Sequence, residues 1–182
     1  MPDVKKETRP DNPEGTVHAV PSPTPESFTL AHISDLHLTS LNNTAITPLL
    51  NKRMLGYLSW WRKRRFVHRI EIVEALLEDL KTIRPDHIAV TGDLTHLGLP
   101  DEFTEAADWL SRLGPPDQVT VIPGNHEAYV GQKWSDQLTS WAAYLKSDED
   151  QDSRRNTGFF PSLRIRGPVA LFGLCSARPS LP

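Results

Sequence analysis

The stretch His87-Ile-Ala-Val-Thr-Gly-Asp93 decides the fold. Its apolar run is short and β-prone, as in a buried strand, and it leads directly into the turn pair Gly92-Asp93. Upstream, Ile70, Val73, Leu77, Leu80 and Ile83 recur every three or four residues. That spacing predicts a helix over 69–83 with one buried stripe, stopped by Pro85. Downstream, Phe103, Ala106, Ala107, Leu110 and Leu113 repeat the pattern over 101–113, and Gly114 and two prolines end it. Gln118-Val-Thr-Val-Ile122 reads as the next strand and ends at Pro123-Gly-Asn-His126, while Phe28–Ser34 reads as an earlier strand that ends at Asp35. Strand, helix, strand, helix, strand describes βαβ units around a mainly parallel sheet, hence an α/β fold with strands in the core and helices outside. A third helix is expected over 133–146, an exposed polar loop over 147–157, and two further strands over 163–166 and 169–174.

The chain has 182 residues, room for about one domain and a tail. Residues 1–27 hold six of its 16 prolines and almost no large apolar side chains, so they read as a disordered leader. Residues 28–182 read as the domain. The single cysteine, Cys175, is read as a small buried side chain; it excludes an internal disulfide framework and any multi-thiolate zinc module. No apolar run approaches the roughly 18 residues that span a bilayer. The N-terminus lacks a secretory layout, so a cytoplasmic location is expected. The net charge of −3 argues against a dedicated nucleic-acid binder. It conceals an asymmetry, because 51–69 contains seven Lys and Arg and no acid, which leaves the remainder acidic.

Polar residues of one chemical kind gather where the three strands end: Asp35 and His37, then Asp93, then Asn125 and His126. Ligands of open α/β sheets bind at the carboxyl ends of strands. Carboxylate, imidazole and amide oxygen suit Mn, Fe, Zn or Mg better than a thiolate-seeking metal. Asp35 and His37 share one short loop and can face one cation, and the two oxygens of Asp93 could bridge a second. Water shared by two such ions would be a nucleophile suited to phosphorus.

Asp35-Leu36-His37, Gly92-Asp93-Leu94-Thr95 and Gly124-Asn125-His126-Glu127 together resemble the first three signature blocks of the calcineurin-like metallophosphoesterase family. Ala31-His-Ile-Ser-Asp-Leu-His-Leu38 further resembles bacterial phosphohydrolases similar to cyclic-nucleotide phosphodiesterases. The resemblance implies a layered β-sandwich core flanked by helices and a centre of two divalent metal ions. It implies that Asp35 and His37 bind the first ion, Asp93 bridges, and Asn125 binds the second. His126 would sit beside the phosphate as the catalytic group, stabilising charge or protonating the leaving oxygen. Glu127 stands where the family commonly has Asp and is read as lying behind the ligands at best. His32 is read as a core histidine and His87 as structural, while His96 is near enough to Asp93 to reach substrate.

The family draws further histidine ligands from its C-terminal half, and this chain has no histidine after His126. The expectation is therefore an N-terminal part of the domain, incomplete at the C-terminus, with under-coordinated ions and little turnover of its own. The expected partner is a small phosphoester, with a cyclic nucleotide or similar diester as the leading class. The aromatic-rich basic segment 51–69 suits a solvated insertion packed on the domain, contacting substrate phosphate or forming a rim beside the site. It also suits an interfacial helix on the anionic inner face of a membrane, and a lipid-linked pyrophosphate is then the alternative substrate. A third reading is a non-catalytic fragment or binding module.

Overall fold

The computed structural model describes residues 27–38, 41, 53–62, 70–129, 134–148 and 158–179. The expected leader, apart from Ser27, lies outside them, as do 63–69 of the basic segment and 149–157 of the polar loop. Three parallel strands, β1 (Leu30–Ile33), β2 (His87–Val90) and β3 (Val119–Val121), form a sheet in chain order. Helices α1 (Arg53–Arg62) and α2 (Ile70–Ile83) lie between the first two strands in sequence, and α3 (Pro100–Leu113) between the second and third. The chain continues through α4 (Trp134–Gln137), a 3-10 turn (Leu138–Trp141) and α5 (Ala142–Leu145) to an antiparallel hairpin, β4 (Ser162–Arg166) and β5 (Val169–Gly173). This is the mixed α/β architecture that the periodicities imply, with sheet at the centre and helices against it.

The core forms where the apolar stripes of α2 and α3 meet β2 and β3. Leu77, Leu110, Val90, Val119 and Val121 are completely buried there, each large side chain contributing about 1.5–3 kcal/mol. The stripe of α2 is shorter than its spacing suggested, since Val73, Leu77 and Leu80 are buried but Ile70 and Ile83 are exposed. A 14-residue helix is about 21 Å long, whereas a four-residue strand is about 13 Å, so the helix ends overhang the sheet. The helix expected over 133–146 is broken into α4, the 3-10 turn and α5, and Leu138, Trp141, Tyr144 and Leu145 are the side chains it buries. The Trp141 indole N–H donates to the Phe103 carbonyl at 3.0 Å, which ties this segment to α3.

Three polar side chains behave in ways the pattern alone did not show. His32 was expected in the core but is exposed, because β1 alternates with Leu30 and His32 outward; its Nε2 lies 2.7 Å from the Thr91 hydroxyl. Arg164 of β4 is buried, and its guanidinium donates to the carbonyls of Lys146, Val119, Ala143 and Pro116, stapling the hairpin to β3 and α5. Cys175 is only half-buried.

His87 is structural, as expected: it is fully buried, with Nε2 2.7 Å from the Thr120 hydroxyl. Burial, and then the cationic Arg166 and Arg164, lower its pKa from 6.5 to about 4. Between those values the unfolded chain takes up a proton that the folded chain refuses. The stabilisation is therefore complete above about pH 6.5 and is lost as the pH falls towards 4. Urea denaturation across this range should show the wild type losing stability relative to His87→Gln by up to about 1.4 kcal/mol per pH unit.

Candidate metal centre

Parallel pairing continues past the strands and carries the first two polar loops into register. The Asp35 N–H donates to the Gly92 carbonyl at 3.1 Å, His37 N–H to Asp93 at 3.0 Å, and Leu38 N–H to Leu94 at 2.9 Å. The third loop approaches through glycine. A Cβ on Gly92 would lie 2.2 Å from the Gly124 nitrogen, and one on Gly124 would lie 2.3 Å from Asp93 Oδ1, so no larger residue fits at either position. Asp35, His37 and Asp93 have φ values of 57°, 46° and 54°. Non-glycine residues rarely adopt this left-handed region, and such strain collects at functional sites where neighbouring structure enforces it.

Glu127 does that enforcing at Asp93. Its carboxylate is buried, with Oε2 accepting the N–H of Asp93 (2.9 Å) and of Gly124 (2.6 Å). Its Oε1 accepts the Thr95 N–H at 2.9 Å and the Thr95 hydroxyl at 3.2 Å. Burial pushes its pKa above the ordinary carboxylate range; the donors oppose that shift and the nearby Asp93 charge adds to it. One side chain thus fastens the second loop to the third. Its sequence position alone implies only a place behind the ligands. Glu102 does the same for the next stretch of chain. It is buried and accepts the N–H groups of His96 (2.6 Å), Leu97 (3.0 Å) and Leu99 (2.9 Å). The available signal was a Glu in the first turn of a helix that opens with Pro100, placed to reach back to the preceding amides.

On this scaffold His37, Asp93 and His126 converge, with one potential ligand atom from each within 4.8 Å of the others. They form a single candidate metal-binding triad among the described residues. His37 Nδ1 donates to the Thr95 carbonyl at 2.7 Å and His126 Nδ1 to the His96 carbonyl at 2.6 Å. In the neutral imidazole each Nε2 therefore carries the lone pair, the tautomer that carbonyl-anchored metal-binding histidines adopt. The two rings meet edge to face, 4.7 Å apart at 84°. Asp93 Oδ1 also accepts the His126 N–H at 3.0 Å. The donor set of imidazole and carboxylate fits a divalent Mn, Fe or Zn ion.

Asp35 and Asn125 are exposed, on loops that flank the triad, and Asp35 is not among the three converging groups. His96, read as near enough to Asp93 to reach substrate, lies against the triad. It is buried, its ring stacked on His37 at 4.7 Å and 13°. Its main-chain carbonyl is what meets His126. From the basic segment, Met54 and Tyr57 pack with Tyr129 on the small cluster of Leu41, Leu97 and Leu99, and Tyr129 stacks on His126 at 5.9 Å. Met54 and Tyr57 of that segment therefore pack on the domain, beside the triad.

A family model described as calcineurin-like phosphoesterase matches residues 28–173. The chain belongs to that family, whose members hydrolyse phosphoesters with the help of metal ions. Glycerophosphodiester phosphodiesterase GpdQ of Enterobacter lignolyticus (strain SCF1) is 32% identical over 98 residues, which make up 54% of this chain and 29% of that protein. The matched region thus spans under a third of the length of that curated relative. Among the described residues no helix is long and apolar enough to cross a membrane.

Replacing Glu127 by Gln should expose how far the site depends on it. An amide offers one acceptor oxygen where the carboxylate offers two, and turns an N–H₂ towards existing donors. Unfolding free energy should fall by about 2–4 kcal/mol, measured by denaturation, and Zn(II) affinity should fall at least about tenfold, measured by calorimetry.

Proposed function

We propose that this chain contributes the metal-binding face of a metal-dependent phosphodiesterase that takes a small phosphodiester. The observation that carries this reading is the convergence of His37, Asp93 and His126 within 4.8 Å, with both imidazoles held through Nδ1. Two ions are proposed. Asp35 and His37 would hold the first and Asn125 the second, with the Asp93 carboxylate available to both. Divalent cations there neutralise phosphate charge and lower the pKa of water. The chain's own groups divide the remaining work. The Asp93 carboxylate is kept in place by the His126 N–H and by the Glu127 clamp behind its own amide. His126 is anchored at Nδ1, so in its protonated form it would offer the Nε2–H to developing charge or to the departing oxygen.

The substrate class follows from two supports. The run from Ala31 to Leu38 resembles phosphohydrolases akin to cyclic-nucleotide phosphodiesterases, and the relative named above is a glycerophosphodiester phosphodiesterase. Both names point to phosphodiesters, and we place the substrate among them.

The test pairs metal binding with turnover. Calorimetry with Mn(II) and Zn(II) should show binding to the wild-type chain and at least about a 100-fold loss in Asp93→Asn at unchanged thermal stability. In the natural full-length protein the same substitution should lower hydrolysis of bis(p-nitrophenyl) phosphate by about 100-fold or more. Wild-type affinity and wild-type turnover in Asp93→Asn would refute the reading. Competition between glycerophosphocholine and a cyclic nucleotide then separates the two diester classes.

A further inference from the structure

The loop His96–Leu99 is gripped from two sides by opposite charges. Glu102 accepts three of its amide N–H groups, at His96, Leu97 and Leu99. Arg53, the first residue of α1, supplies the complementary grip: its Nε donates to the Leu97 carbonyl at 2.9 Å and its Nη2 to the Gly98 carbonyl at 2.6 Å. A planar guanidinium spans two successive carbonyls with donors held in a fixed fork, which an ammonium lacks. Desolvation lowers the Arg53 pKa and the Glu102 charge opposes the shift, so the two groups sense each other across the loop.

What the loop carries makes the grip consequential. The His96 carbonyl accepts the Nδ1–H of His126, and the His96 ring lies parallel against His37. Gly98 sits so close to the third loop that a Cβ there would be 3.0 Å from the Glu127 carbonyl oxygen and 3.1 Å from that of His126. Displacement of 96–98 would therefore disturb one imidazole through its anchor and the other through its stacking partner. Arg53 comes from the basic segment that the proposed function leaves without a task.

We propose that Arg53 is a positioning residue for the two imidazoles: by seating α1 on the Leu97 and Gly98 carbonyls, it holds His96 where it orients both His126 and His37. The role rests on the reading of His37 and His126 as metal-site groups, but its structural half can be tested without metal or turnover. In this view the start of the basic segment is a strut of the site.

The test uses the metal-free chain with ¹⁵N-labelled histidine and long-range ¹H–¹⁵N correlation, which reports the tautomer of each ring. In the wild type, His126 and His37 should show the Nδ1–H tautomer. In Arg53→Met, which keeps the length of the stem and removes both donors, their ring nitrogen shifts should move towards tautomer exchange. His87, bonded to Thr120 across the sheet, should stay put and thereby exclude a general loss of structure. Zn(II) affinity should fall at least fivefold in the same variant. Should Arg53→Met fail to fold, Arg53→Lys, which reaches only one carbonyl, should give smaller shifts of the same two rings. Arg62→Met, at the exposed end of the same helix, should match the wild type. Ring shifts of His126 and His37 that stay at wild-type values in the folded Arg53 variants, or that move no more than those of His87, would overturn the proposal. Failure of the metal reading would appear separately, as wild-type Zn(II) affinity in Asp93→Asn.

Discussion

A buried carboxylate that collects donors from two loops is the constraint on which this site depends. Glu127 is almost wholly removed from water, so its charge must be compensated locally or given up. Compensation comes from backbone amides of the second and third loops and from a hydroxyl of the second. Because those donors belong to loops about thirty residues apart, satisfying the carboxylate and closing the site are one event. The fit between Gly92 and Gly124 is the steric side of the same arrangement, since a side chain at either position would separate the loops that Glu127 draws together.

Glu102 repeats the device on the following loop, and the two acids feel each other's charge. Together they hold amides between Asp93 and Leu99, while the Asp93 and Leu94 carbonyls pair with the first loop. Asp35, His37 and Asp93 sit at positive φ on this framework. Each gives up a favoured conformation and gains a direction in which its side chain can point away from the sheet. Stored strain of this kind, about 1–3 kcal/mol per residue, persists only where neighbouring contacts over-determine it.

The basic segment takes a different meaning once its contacts are known. Composition alone suits it first to a solvated insertion packed on the domain and second to an anionic membrane surface. Arg53, Met54 and Tyr57 turn inward, the first to backbone carbonyls and the others to Leu41, Leu97 and Leu99. Such a stretch of like charge can thus be split, with one cation serving the protein's interior while others, such as Arg62, face solvent.

How much was legible in the chain follows from the range of each interaction. Helix and strand placement depended on local periodicity, which is why α2, α3, β2 and β3 lie within a residue or two of their expected limits. That polar residues would gather at the strand ends also followed, because parallel strands must bring their carboxyl ends to one side. The sequence by itself thus determined an α/β chain of this family with Asp93 and its neighbours facing a common space. Only the tertiary structure decided which groups meet: His37, Asp93 and His126 converge, His96 turns inward, His32 turns outward, and Arg164 becomes a staple. Those outcomes depend on donors and acceptors tens of residues away, and no periodicity records which buried charge will be matched to which distant backbone group.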